Sequence, residues 1–251
     1  MIKVTIYNEF VHEKVDDYVA SIYPEGIHMA IKQGIEDEEI QVKTVTLDNV
    51  SEGITEQSLA DTDVLIWWGH GEHHLVPDDV SELVKNAVLG GMGAIFLHSS
   101  HHSKPFKALM GTSCNLTYRE NADYEFLWVC NPSHPIARGI ERYIYLPNVE
   151  TYGEPFAVPE PDEVVFIGVF PGQLEADEVA AVIQILAVHE VVFDGLPAAG
   201  LHLADAAPVF RRHQVPAHAG HGIAAAAQMI QRGIVLIGFF RQVFGEKFRL
   251  I

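Results

Sequence analysis

The segment Asp63-Val64-Leu65-Ile66-Trp67-Trp68-Gly69-His70 decides the fold. Its apolar residues are nearly continuous, which is typical of a strand buried on both faces of a sheet. Pro77 predicts the start of a helix that ends at Gly90-Gly91, and residues 94–97 form the next apolar strand. A strand, a helix and a second strand in this order indicate a parallel pair joined by a crossover helix.

The same alternation extends toward the N-terminus. Residues 2–7 and 42–47 are further apolar strands, and residues 17–35 have helical spacing, with Pro24 marking either a break or a first turn. Thr55 predicts the N-cap of a short helix. We therefore expect an α/β fold with a doubly wound, mostly parallel sheet of the flavodoxin-like kind.

After Cys114 the helices stop and strand-like segments follow one another. We interpret them as an antiparallel addition to the parallel sheet. These segments are 117–120, 126–129, 143–146 and 164–167.

Composition and charge exclude several classes of function. A chain of 251 residues fits one large α/β domain, alone or with an extension. The net charge of −18 opposes binding to nucleic acid or to an anionic membrane surface and favours neutral or cationic ligands. The apolar runs are too short to cross a bilayer, and we expect Cys114 and Cys130 to be reduced core thiols of a cytoplasmic protein. Such an acidic α/β chain is compatible with a homo-oligomer.

Histidines follow three of the predicted parallel strands. Because the carboxyl ends of parallel strands share one edge of the sheet, where open α/β folds bind ligands, we expect these side chains to converge on one crevice. They are His12 after the first strand, His70, His73 and His74 after the third, and His98, His101 and His102 after the fourth.

Two kinds of chemistry are compatible with this crevice. The alternative for residues 98–102 is a solvated polar loop without a function. Ser99 or a histidine could face substrate at the strand-to-helix turn, although Ser99 lacks the flanking glycines of a nucleophile elbow. A divalent metal, zinc first, is the second option, since neutral imidazoles are common zinc ligands. Carboxylates that could assist are Glu9, Glu13, Glu72, Glu120 and Glu150.

Two other features are less informative about function. Strand alternation sends Trp67 and Trp68 to opposite faces, where we expect both to pack under helices. The alternative, stacking on a ligand, is open only to Trp68, at the strand exit. The loop after the first strand, Asn8-Glu9-Phe10-Val11-His12, is bulky and acidic where a nucleotide fold needs glycines. We therefore expect no nucleotide cofactor.

Many short motifs occur in one order along residues 1–171. They are Asn8-Glu9-Phe10 with His12-Glu13-Lys14, Ile22-Tyr23-Pro24-Glu25-Gly26 with His28, Trp67-Trp68-Gly69-His70, Gly91-Met92-Gly93, Leu97-His98-Ser99 with His101 and Ser103-Lys104, Leu109-Met110-Gly111-Thr112, Trp128-Val129, and Glu150 with Tyr152-Gly153-Glu154-Pro155. In these motifs the sequence resembles the ThuA-like, trehalose-utilisation family.

The resemblance implies a class I glutamine-amidotransferase-like fold, a cytoplasmic bacterial location and a role in disaccharide metabolism. In that superfamily a cysteine nucleophile follows the strand that matches residues 94–98. Here the chain has His98-Ser99-Ser100 instead, so we do not expect glutamine amidotransferase activity.

The resemblance ends near Gly172, and the composition changes there too. Residues 173–251 hold 15 alanines and none of the 3 tryptophans or 8 tyrosines. We divide the chain into a ThuA-like α/β domain, 1–172, and a divergent part, 173–251, which either completes the same domain or adds helices. A fusion or a shifted reading frame is the other explanation, because the family's final histidine and glutamate segment is missing.

Two functions remain open. The first is an enzyme, either a metal-assisted or an acid/base hydrolase or isomerase of sugars, that acts on a sugar or keto-sugar. The second is a non-catalytic module that binds a sugar or a partner. The catalytic candidates are His98, Ser99, His101 and Glu120; the substrate-binding candidates are Asn8, Glu9, His12, Trp68, Gly69, His70, Glu150 and Tyr152; the candidate metal ligands are His70, His98 and His101.

Overall fold

The computed structural model describes residues 1–170, apart from positions 154 and 162. The described strands are β1 Ile2–Asn8, β2 Ile40–Thr46, β3 Val64–Trp68, β4 Gly93–Leu97, β5 Thr117–Val129, β6 Tyr143–Gly153 and β7 Phe166–Val169. The described α-helices are α1 His12–Val15, α2 Asp17–Ile22, α3 Ile27–Ile35, α4 Val50–Gly53, α5 Glu56–Ala60, α6 Asp78–Leu89 and α7 Lys104–Met110. Short 3-10 turns occupy Leu47–Asn49, His73–Leu75, His98–His102 and Pro135–Ala137.

Four parallel strands form the first sheet, in the order β2-β1-β3-β4. In this register Asn8 lies beside Trp68, and Trp68 lies beside Leu97. The last residues of β1, β3 and β4 are therefore level with one another. The segments that leave these three strands begin at the same edge of the sheet.

Both faces of the parallel sheet are covered by helices. On one face Ile2, Val4 and Ile6 pack with Ile35 of α3. The alternate residues of the strands, such as Tyr7 and Trp67, pack on the other face with Val80 and Val84 of α6. This arrangement confirms the predicted doubly wound α/β fold, because strands covered on both sides must be apolar on both sides.

The helical region 17–35 is broken into α2 and α3, so Pro24 marks a break. Gly26 precedes α3 with a φ of 91°, and a Cβ there would lie 2.5 Å from the His28 ring. A glycine at this position lets the chain turn tightly against His28. The predicted cap at Thr55 is present, and Ser103 caps α7 in the same way, since each hydroxyl accepts a hydrogen bond from a backbone N–H in the first helical turn.

The second sheet is antiparallel, with the order β6-β5-β7. Residues 117–120 and 126–129, predicted as separate strands, belong to the single long strand β5. The strand predicted at 164–167 lies slightly later, at Phe166–Val169. Periodicity alone could not join the two halves of β5, because register shifts interrupt its pairing with β6 between Arg119 and Glu125.

Cys130 is exposed, so its predicted place in the core is wrong, whereas Cys114 is buried as expected. Cys130 directly follows β5 in a loop, where burial is not required. None of the helices in the described part of the chain has the length and apolar character that a bilayer span requires. The predicted domain or extension at 173–251 lies outside the described residues.

Candidate functional site

The exits of β1, β3 and β4 place Glu9, Gly69 and His98 side by side, because the strands end in register. The backbone N–H of Glu9 donates to the carbonyl of Trp68 at 3.2 Å, which ties the first exit to the third strand. Most of the predicted site residues lie at this edge of the sheet. We call the region beside Glu9, Gly69 and His98 the crevice.

His98 is the most constrained residue of the crevice. Its φ is 52°, a left-handed backbone conformation that non-glycine residues adopt rarely and often at functional sites. The ring stacks on Trp68, with centroids 5.1 Å apart, and on His70, with centroids 5.4 Å apart. The His98 side chain is only 8% exposed.

Burial, with smaller contributions from nearby histidines, lowers the pKa of His98 to about 3, so the ring is neutral near pH 7. Its Nδ1 lies 2.8 Å from the Tyr152 hydroxyl. Burial also raises the pKa of Tyr152 well above its usual value, so this phenol keeps its proton and can donate it to Nδ1. In the tautomer that accepts this hydrogen bond, the ring proton of His98 is on Nε2. That atom is buried and has no hydrogen-bond partner among the described residues.

Strand β6 of the antiparallel sheet supplies Glu150 and Tyr152 to the crevice. Glu150 Oε2 lies 3.7 Å from His98 Nδ1, and the Glu150 side chain is 12% exposed. Burial, helped by repulsion from Glu120, raises the pKa of Glu150 to about 7. Glu120 itself is exposed on β5, so it acts on the crevice through its charge. The Ser99 hydroxyl is 3.4 Å from the Tyr152 hydroxyl.

His12 and His70 continue the stack that begins at His98. Their ring centroids are 4.5 Å apart, with planes inclined by 20°. Burial, followed by repulsion from His12, lowers the pKa of His70. The stacked rings present flat surfaces along one side of the crevice.

His101 faces inward from the turn after β4. Its buried ring has Nδ1 2.7 Å from the carbonyl oxygen of Cys114, so Nδ1 carries the proton and donates. The lone pair of His101 is therefore on Nε2. Burial lowers the pKa of His101, which keeps the ring neutral near pH 7.

Asn8 lies beneath the crevice, where it connects parts of the protein to one another. It is fully buried, and its Nδ2 is 2.7 Å from Glu13 Oε1 and 3.0 Å from His28 Nδ1. Its Oδ1 accepts a hydrogen bond from the N–H of Phe10. Both N–H groups of the amide are thus used inside the protein, and the sequence offered no sign of this.

Ser100 holds two strand exits together, a role that the sequence pattern does not predict for any residue. The buried Ser100 hydroxyl donates to the Trp67 carbonyl at 2.9 Å and accepts from the Gly69 N–H at 2.7 Å. Nothing in the sequence distinguishes Ser100 from its neighbour Ser99, the serine that we predicted to face substrate. The two serines differ because residues 98–102 form a 3-10 turn, in which adjacent side chains point in different directions. A prediction of this turn from the sequence would have separated them.

We expect Ser100→Ala to lower the free energy of unfolding by roughly 1–3 kcal/mol, because two buried backbone groups lose their partner. Urea denaturation followed by circular dichroism measures the loss. Ser99→Ala is the matched control and should cost less than about 1 kcal/mol, since the contact between the Ser99 and Tyr152 hydroxyls is long. Equal losses in the two variants would contradict the assignment.

Three comparisons with known proteins bear on this site. The family model described as trehalose utilisation, ThuA, matches residues 3–173. The chain belongs to the ThuA family. Membership supports a general role in sugar utilisation, and no curated protein matches the sequence.

Solved structures of other ThuA-like proteins share the fold. One from Bacteroides uniformis ATCC 8492 is 15% identical, with a TM-score of 0.50 over 66% of this chain and 67% of that one. One from Parabacteroides merdae ATCC 43184 is 12% identical, with a TM-score of 0.50 over 67% of this chain and 68% of that one. In this ThuA-family chain the residue that leaves the fourth parallel strand is His98.

Proposed function

We propose that this ThuA-family protein binds a sugar or keto-sugar in the crevice and acts on it by acid–base chemistry. The observation that carries the proposal is His98, a buried neutral imidazole whose Nδ1 contacts Tyr152 and whose Nε2 has no partner among the described residues. A buried polar atom without a partner is costly, and a ligand oxygen would remove that cost.

The net charge of the chain and the flat rings beside His98 favour a neutral, hydroxyl-rich ligand. The chain carries a net charge of −18, which disfavours anionic substrates such as sugar phosphates. Trp68 and the stacked His70 ring offer flat faces next to His98. A sugar ring can pack its apolar face on such surfaces while its hydroxyl groups meet the polar atoms around them.

In this proposal His98 is the hydrogen-bond donor and Glu150 is the group that exchanges a proton. A neutral His98 with its proton on Nε2 donates a hydrogen bond to a carbonyl or hydroxyl oxygen of the substrate and polarises it. Glu150, whose pKa of about 7 lies near the working pH, accepts and returns a proton. Tyr152 keeps the His98 ring in the required tautomer through the contact at Nδ1.

A panel of trehalose, other neutral disaccharides and their keto forms tests the proposal. Calorimetry measures binding, and NMR of the sugar signals measures turnover. We expect His98→Gln to reduce turnover by about 10²-fold or more, the range of a single acid–base group. His74→Gln is the control, because the His74 side chain is 72% exposed and lies in the turn after β3 rather than in the turn that carries His98.

The possible outcomes separate the two candidate functions. Binding without turnover would replace the enzyme by the non-catalytic sugar-binding module. Absence of both binding and turnover across the panel would contradict a sugar ligand altogether.

A zinc site at His70, His98 and His101 remains a prediction. Among the residues that the structure describes, no group of three His, Cys, Asp or Glu side chains is arranged to hold a metal ion. His70 and His98 stack with planes inclined by 10°, and His101 directs Nδ1 at a backbone carbonyl. Metal analysis of the purified protein, before and after chelation, tests the prediction. The cytoplasmic compartment and a homo-oligomer are likewise still predictions.

A further inference from the structure

Glu9 and His73 form a second polar pair in the crevice, which the proposed chemistry leaves unused. Glu9 is 4% exposed, and its Oε2 accepts hydrogen bonds from the N–H groups of Gly71 and Glu72 at 2.9 and 3.0 Å. Burial opposes the charge of Glu9, but the His73 ring and these backbone donors outweigh it and lower the pKa of Glu9 to about 2. The carboxylate is therefore ionised and fixed in position.

The free oxygen of Glu9 faces His73. Glu9 Oε1 lies 3.1 Å from His73 Nδ1, although the two atoms are not aligned as a hydrogen bond. Catalytic hydrogen bonds are often poorly aligned before substrate binds. The other ring nitrogen, Nε2, is buried and has no hydrogen-bond partner in the described part of the chain.

Gly69 makes the close approach of this pair possible. A Cβ at Gly69 would lie 2.8 Å from His73 Nδ1 and 3.2 Å from Glu9 Oε1, so any other residue would push the pair apart. The His73 ring is also 6.3 Å from the ring of His102, which belongs to the 3-10 turn that begins at His98. The pair thus belongs to the same crevice as His98.

We propose that His73 is a catalytic base of the crevice and that Glu9 is the positioning residue that keeps the His73 proton on Nδ1. This inference rests on the proposed function, since it names a further group for the same site. With the proton on Nδ1, the lone pair of Nε2 is free to take a proton.

The step that follows is a proton transfer from a sugar hydroxyl. The O–H bond of the substrate breaks, its electron pair stays on the oxygen, and a new N–H bond forms at His73 Nε2. The imidazolium produced lies against the Glu9 carboxylate, which stabilises its positive charge. The proton returns to the product at the end of the turnover, so no oxidant or further reactant is needed.

Nitrogen NMR of the labelled, full-length protein tests the tautomer without any substrate. Long-range proton–nitrogen spectra, assigned with His73→Gln, should show the His73 proton on Nδ1. In Glu9→Gln the amide oxygen keeps the bonds to Gly71 and Glu72, so its NH₂ group faces His73 and becomes the donor. We therefore expect the His73 proton to move to Nε2 in that variant. A proton on Nε2 in the unaltered protein overturns the proposal.

Kinetics on a sugar that the panel shows to be turned over supplies the second test. We expect Glu9→Gln to lower kcat by about 10²–10⁴-fold, as in other carboxylate–histidine pairs, with KM little changed if Glu9 acts through His73 rather than by binding the substrate, as the sequence suggested. His73→Gln should lose as much, and His74→Gln should keep the activity of the unaltered protein. Full activity in His73→Gln overturns the proposal.

The two tests distinguish failure of this inference from failure of the proposed function. If the His73 proton is on Nδ1 but no sugar binds, the result would contradict the sugar substrate and therefore the proposed proton transfer. If a sugar is turned over but the His73 proton is on Nε2, the result would contradict the roles of Glu9 and His73. The roles proposed for His98 and Glu150 would be unaffected.

Discussion

Replacing Asn8 with alanine is expected to lower the free energy of unfolding by roughly 3–5 kcal/mol, enough to unfold a marginally stable domain. Asn8 donates to Glu13 Oε1 at 2.7 Å, contacts His28 Nδ1 at 3.0 Å and accepts from Phe10 N–H at 3.0 Å. Glu13 and His28 are buried, and the hydrogen bond from Phe10 N–H is partly buried. Losing the amide leaves several buried polar groups unpaired at once.

Chemical denaturation of the two proteins side by side measures this loss. Asn115→Ala is the matched control, because Asn115 is exposed in a loop, and its effect should stay within about 0.5 kcal/mol. A loss below about 1 kcal/mol in Asn8→Ala would show that the amide does not organise the first strand exit. The result matters for function because Glu9 directly follows Asn8.

Glu125→Gln is expected to stabilise the protein by about 3 kcal/mol at pH 8 and to have little effect at pH 4. Glu125 is 1% exposed on β5, and its Oε1 has no hydrogen-bond partner among the described residues. Burial raises the pKa of Glu125 from 4.5 to about 7. Ionising this carboxyl in the folded state is therefore unfavourable, and glutamine removes the charge while keeping the shape.

The sign of the pH effect follows from proton binding. Between pH 4.5 and about 7 the folded state holds the Glu125 proton and the unfolded state does not, so stability falls as the pH rises. Above about pH 7 the penalty is complete and constant. Glu150 has a similar raised pKa, so part of the slope should remain in Glu125→Gln.

Urea denaturation at pH 4, 6 and 8 measures the slope. Glu38→Gln, at an exposed position, is the matched control and should leave both the stability and its pH dependence almost unchanged. A Glu125→Gln protein with the unaltered pH dependence would contradict a buried, protonated Glu125.

Much of the candidate site could be predicted from the sequence. His98 and Trp68 follow apolar segments, and the rule that parallel strands end at one edge is sufficient to bring them together. Glu150 and Tyr152 were placed in the site by the family motif alone. Their approach to His98 depends on how the antiparallel sheet sits against the parallel one, which local pattern does not encode.

Other residues were beyond sequence reasoning for physical reasons. The partners of Asn8 include His28, which is 20 positions away along the chain. Ser100 joins Gly69 across 31 positions, and His73 meets Glu9 across a turn whose shape depends on Gly69. These roles follow from contacts between distant segments, so the residue type at one position carries little information about them.

Apolar periodicity and the common direction of parallel strands were enough to predict the doubly wound fold and the edge of the sheet where the histidines lie, because both are local properties of the sequence. The chemistry at that edge depends on contacts that form only in the folded protein. Burial sets the pKa of His98 to about 3 and that of Glu150 to about 7, and contacts at Nδ1 orient the rings of His98 and His101. Protonation and tautomer depend on surroundings assembled from four strands, which exist only once the chain has folded.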